Sequence, residues 1–159
     1  MAKMANRTLE NKKLYGAFWN RFSKYIAEFE PEFQIEFSQS LRRLPDEQNL
    51  YLKVRGYNSG RCRIVFSLAI KQRPFHVAAG IDVERDKALY QEMAAKRQWI
   101  AESLNLVLQT RKPYKTVGHL YDQREVINPL DRLEERELFH WFCMQALKLR
   151  LVIVKFAWK

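Results

Sequence analysis

A chain of 159 residues that is 47% hydrophobic, with 10 Phe, 7 Tyr and 4 Trp, can bury one sizeable core without disulfide or metal staples and is short for two domains. Its 28 Lys and Arg against 18 Asp and Glu give a formal net charge of +10, a balance that favours nucleic acid or another polyanion as partner. No apolar run approaches the ~20 residues of a membrane helix, and the polar, basic N-terminus lacks the apolar segment of a signal peptide, so a cytoplasmic location and no membrane partner are expected.

Residues 1–13 read as a basic lead-in without apolar periodicity, and residues 14–159 as a single α+β domain. From position 14 onward Tyr15, Phe18, Trp19, Phe22, Tyr25, Ile26 and Phe29 recur at three- and four-residue spacing. That spacing puts them on one stripe of a helix facing a core, and Pro31 is expected to stop it. Phe33, Ile35 and Phe37 then alternate with Glu32, Gln34 and Glu36, the pattern of a strand over 32–38. A second strand over 50–57 sends Leu50, Leu52 and Val54 inward and Tyr51, Lys53, Arg55 and Tyr57 outward. Residues 56–60, Gly-Tyr-Asn-Ser-Gly, supply a turn.

The central feature is a hairpin. Cys62, Ile64, Phe66, Leu68 and Ile70 fall on every second position, as do Phe75, Val77, Ala79 and Ile81. Pro74 cannot donate to a ladder and marks the reversal between the two strands. Asp86 then caps a helix running to about position 104 on Leu89, Met93, Ile100 and Leu104, ended by Asn105 in a left-handed conformation. Two short strands, over 106–109 and 117–121, flank a basic loop. Asn128-Pro129 opens a final helix that buries Leu130, Leu133, Leu138, Trp141, Phe142, Leu147 and Leu149. Residues 151–158 extend that helix or form an edge strand; both alternatives stay open. The result is an α+β fold: a mainly antiparallel sheet of about five to six strands covered by helices, in the order helix, four strands, helix, two strands, helix.

This order of motifs is similar to a prokaryotic family catalogued as a domain of unknown function, whose members often follow a restriction-endonuclease-like nuclease module in one polypeptide. The similarity rests on Phe18-Trp19 and Phe22, then Val54-Arg55-Gly56 leading through Ser59-Gly60 into the strand from Ile64 to Ile70. It continues through Gly80-Ile81-Asp82, the series Leu89, Met93, Lys96 and Ile100, and Trp141-Phe142 with Leu147 and Phe156. Ala101 stands where the family commonly has an acid, and Asn105 where it commonly has Gly. The resemblance implies the accessory half of a DNA-processing or defence protein, with no activity attached to the domain itself.

A nuclease of the metal-dependent kind needs carboxylates on adjacent strands and an Asp/Glu-x-Lys triplet. Asp82, Glu84 and Asp86 form the best acidic group, but no such triplet accompanies them, and acids at a strand-to-helix junction ordinarily cap the helix. Glu137 and His140 have the spacing of a bundle metal ligand without the second copy it requires. His76, His119 and His140 are scattered singly, and Cys62 and Cys143 sit on apolar faces as reduced, buried thiols. Neither a Gly-x-Ser-x-Gly elbow nor a complete phosphate loop occurs. No catalytic residue, metal ligand or cofactor is assigned.

The strongest functional pattern is the outward face of the second and third strands. Tyr51, Lys53, Arg55 and Tyr57 alternate on one strand, Arg61 and Arg63 begin the next, and Lys71 and Arg73 lie at the hairpin end. Aromatic rings stack on bases and cations neutralise phosphates, so interleaving the two suits single-stranded or flexible nucleic acid. The competing reading has Glu32 and Glu36 pairing across the strands with Lys53 and Arg55. Three functions follow: a non-catalytic nucleic-acid-binding module, a protein-interaction subunit that docks a nuclease, inhibits one or pairs with a second copy, and a minimal metal-dependent nuclease.

Overall fold

Helix α1 (Ala2–Phe29) opens the chain in a computed structural model that describes residues 2–39, 45–57, 62–71, 73–111, 118–126 and 131–156. The helix starts well before the apolar stripe does, because Ala, Lys, Met, Leu and Glu dominate its first turns and need no buried face to be helical. Tyr15, Phe18, Trp19, Phe22 and Ile26 are buried as their spacing requires. Tyr25 packs partly against them, and Phe29 is left half-exposed beneath the Arg136 guanidinium, 4.0 Å from its ring.

Pro31 does not end helical structure; it begins α2 (Pro31–Glu36), at a first-turn position where its missing N–H costs nothing. The strand expected over 32–38 is therefore a short helix followed by the three-residue strand β1 (Phe37–Gln39). Phe33 and Phe37 are four residues apart, so they share a face in a helix and in a strand alike, and both are buried. Ile35 is the residue that separates the two conformations. It is 69% exposed, as the helix demands and the strand forbids.

Strands β2 (Asn49–Val54), β3 (Cys62–Ala69) and β4 (His76–Val83) keep the alternation read from the sequence. Asp86 caps α3 (Lys87–Ala95), its carboxylate accepting from the Leu89 N–H at 2.9 Å. The single helix expected here breaks at Lys96 and resumes as α4 (Arg97–Leu104), which Asn105 closes at φ 53°. The last two strands lie later than expected, at β5 (Gln109–Arg111) and β6 (Gly118–Glu125). Helix α5 (Arg132–Phe156) carries residues 151–156 as helix, which decides the alternative left open above. Among the described residues no helix is long and apolar enough to cross a membrane.

All strand pairs are antiparallel, in the order β1-β2-β3-β4-β6-β5. Leu52, Ile64, Ile81 and Leu120 line up across four strands and join Phe18, Trp19, Phe22 and Phe142 in one core. Phe66 bridges the layers, 5.7 Å from the ring of Phe22 and 4.6 Å from that of Phe142. Leu89 and Met93 of α3, Ile100 of α4 and Phe33 of α2 belong to the same core. The helices thus share one side of the sheet. Val65 is buried yet stands outside that core, because its side chain rises from the opposite face.

Candidate nucleic-acid interface

The register fixes what the helix-free face displays. One row runs Ser38, Lys53, Arg63, Asp82, His119 and Arg111: Ser38 pairs Lys53, Arg63 pairs Asp82, and His119 pairs both Asp82 and Arg111. Lys53 follows Leu52, the partner of Ile64, and so lies beside Arg63. The next row runs Tyr51, Val65, Gly80, Tyr121 and Gln109, and the one after it Asn49, Ser67, Ala78 and Gln123.

Arg63 organises the first row. Its guanidinium carbon lies 3.7 Å from the centroid of the Tyr51 ring, and its Nε is 3.2 Å from Asp82 Oδ2 and 3.1 Å from Glu84 Oε1. Asp82 is buried; a carboxylate in that position is stable because the guanidinium offsets its desolvation. On the other flank His119 Nδ1 is 3.9 Å from Asp82 Oδ1. Burial pushes the His119 pKa below the ordinary 6.5; the Asp82 charge opposes this, and Arg111 and Arg63 add to it. His119 also meets Tyr121 edge to face, with ring centroids 5.6 Å apart.

Tyr51 and Tyr121 stand in the second row three strand spacings, or about 14 Å, apart. Between them lie Val65 and Gly80, both buried, and beside those the half-buried Ser67 and Ala78. Gly80 is required there. A Cβ at this position would run into the Leu120 carbonyl and come within 2.7 Å of Tyr121 Cβ, so glycine is what lets β6 and Tyr121 lie so close to β4. The face is a closely packed floor flanked by two half-buried phenol rings, with an ionic row along one side.

Of the residues the sequence singled out, Tyr51, Lys53 and Arg63 meet on this face. Lys53 is half-buried and has no carboxylate partner among the described residues. Arg55 and Tyr57 do not join them. Strand β2 ends at Val54, and Gly56 turns the chain at φ 83°, so the alternation stops. Arg55 instead donates through Nε to the carbonyls of Gln34, at 2.9 Å, and Phe37, at 3.1 Å, which makes it a clamp on α2 and β1. Tyr57 packs against the core. Lys71 and Arg73 are exposed at the far end of the hairpin, about 25 Å along the strand from Arg63. Arg61 lies outside the described residues.

The cross-strand pairing of Glu32 and Glu36 with Lys53 and Arg55 does not form. Glu36 turns to the helix layer and holds Arg150 Nε at 2.8 Å. His119, Tyr121 and Arg111 belong to the face and were missed. Their signal was an alternation on a strand whose neighbour is β4, a pairing that sequence order does not reveal. The acids at 82, 84 and 86 also divide: Asp86 caps the helix, while Asp82 and Glu84 hold Arg63. Among the described residues no group of three His, Cys, Asp or Glu is placed to hold a metal ion. No family model, curated protein or solved structure matches this chain.

Proposed function

We propose that this chain is a non-catalytic binding domain that takes single-stranded nucleic acid on the open face of its sheet, as an accessory to a DNA-processing or defence system. The observation that supports this most is the floor between Tyr51 and Tyr121: a sheet surface on the side away from the helix core, formed by the buried Val65 and Gly80 and edged by two half-buried rings and the His119 imidazole. Flat bases stack on such rings with little regard to sequence, each stacked base contributing about 1–3 kcal/mol. A duplex hides its base faces and cannot use the floor in this way. Lys53 and Arg111, at either end of the polar row, supply phosphate contacts. Arg63 is committed to two carboxylates and holds the Tyr51 ring in place. The accessory role rests on the family resemblance.

Fluorescence anisotropy with a labelled single-stranded oligonucleotide tests this reading. Replacing both tyrosines (Tyr51→Ala with Tyr121→Ala) should weaken binding by about 10- to 100-fold, the equivalent of one or two lost stacking contacts. Arg55→Gln, which alters the α2–β1 clamp and not the floor, should leave binding within about twofold. Full affinity in the double tyrosine variant would remove this face from consideration.

A further inference from the structure

Helix α5 buries one face in the core and displays a second apolar stripe that the fold does not use. Met144, Leu147, Leu151 and Val154 are spaced three, four and three residues apart, the a/d spacing of a helix that packs along another helix. His140, one turn earlier, pairs with Glu30 at 3.3 Å and ends the stripe. Met144 is 42% exposed, Leu147 39% and Leu151 52%, while Phe142, Leu149, Val152, Ile153 and Phe156 on the other side are buried. An amphipathic helix needs only one apolar face to fold. The second one is available for something else.

Its borders are built. On one side Arg150 Nε lies 2.8 Å from Glu36 Oε2, which brings α2 and its exposed Ile35 alongside the stripe. On the other, Lys148 Nζ donates to the Asn105 carbonyl at 3.3 Å, which brings up the connection that carries the exposed Val107. Further along, Lys155 Nζ sits 3.7 Å from the ring centroid of Trp99. Between Leu138 and Phe156 the helix has three cations, Lys148, Arg150 and Lys155, and no acid. Arg150 is balanced by Glu36, which leaves Lys148 and Lys155 at positions that flank an a/d seam and choose its partner.

We propose that this face of α5 docks an amphipathic helix of a partner protein, with leucine-like residues at its seam and Glu or Asp on its flanks. A second copy of the chain is the wrong occupant, because self-pairing would set Lys148 and Lys155 against like charges. An anionic membrane is also a poorer match. The stripe is narrow, one residue wide along α5, and the exposed indole at its border, Trp99, is engaged by Lys155. A helix that lies in a bilayer surface instead presents a wide apolar face. An acidic helix satisfies both the apolar seam and its basic borders.

The test titrates the full chain with labelled helical peptides of about 21 residues, three heptads, bearing Leu at a and d and Glu at e and g. A second peptide has Lys at e and g, and anionic phospholipid vesicles form a third arm. The Glu peptide should bind at least ~10-fold more tightly than the Lys peptide. Leu147→Glu should abolish that binding while retaining the wild-type circular dichroism spectrum and nucleic-acid affinity. The double replacement Lys148→Glu with Lys155→Glu should move preference toward the Lys peptide. Equal binding of both peptides, binding of neither, vesicle binding lost in Leu147→Glu, or a chain dimer dispersed by the same substitution would each overturn the proposal.

Discussion

Arg63 shows how a side chain that reads as a phosphate ligand can have another role. Its guanidinium is shared between the Tyr51 ring, Asp82 and Glu84, so its charge is largely balanced within the sheet. Removing a buried carboxylate from such an arrangement leaves the cation under-compensated and unstacked from its support. Asp82→Ala should therefore cost about 2–4 kcal/mol in urea unfolding, with Glu84 retaining part of the interaction. A change below about 0.5 kcal/mol would mean that the pair is not holding the face together. His119 gives a second measurement at this scale. Burial lowers its pKa from 6.5, so as the pH falls through that value the unfolded chain takes up a proton that the folded chain does not. The contribution of this group is fully present above 6.5 and diminishes on acidification until the lowered folded value is passed. The urea midpoint should fall between about pH 7.5 and about pH 5.5, and His119→Gln should flatten that fall. An unchanged pH profile in the variant would show that the imidazole is not held neutral by burial.

Elements were legible where a residue pattern admits one period only. Cys62, Ile64, Phe66 and Leu68 alternate over enough positions to define β3, and all four are buried. The segment after Pro31 was misread because Phe33 and Phe37 satisfy both helical and strand spacing. The break at Lys96 carries neither glycine nor proline, so nothing local announced it. The first turns of α1 lie before the apolar stripe begins, and periodicity marks only those turns of a helix that carry such a stripe. Asn105 was read correctly, as an asparagine at the end of an apolar run; at φ 53°, ψ 55° it occupies the left-handed region that asparagine tolerates and glycine prefers. Asn105→Gly should raise stability by about 0.5–1 kcal/mol, or about 1–4 °C in Tm. Asn105→Val should lower it by about 1–2 kcal/mol, because a β-branched residue is strained in that conformation. Differential scanning fluorimetry of the two variants reads both directions. If glycine destabilised the chain, the left-handed cap would not be what closes α4.

For the whole molecule the net charge of +10 was visible at once, but its distribution was not. Arg55 is consumed by carbonyls of its own main chain, Arg63 by acids 19 and 21 positions away, and Arg150 by Glu36 on another element. Lys71 and Arg73 sit at the opposite end of the hairpin from the ionic row. Counting charge along the chain therefore overstates what a ligand on the sheet would meet. This separates two ways of binding a polyanion. A protein that holds single-stranded nucleic acid by its overall charge releases a counterion for nearly every phosphate it neutralises. With about ten such contacts, log K would fall against log salt with a slope of about −7. A chain that stacks bases between Tyr51 and Tyr121 and, among the described residues, reaches phosphates through Lys53 and Arg111 has about two contacts there and a slope of about −1.4. Affinity measured over a range of salt concentrations should give the shallow value. Lys53→Gln should make it shallower still, and the double tyrosine variant should lose affinity with its slope unchanged. A steep slope, insensitive to Lys53 and undiminished in the tyrosine variant, would assign binding to general electrostatic attraction and leave the open face without a ligand.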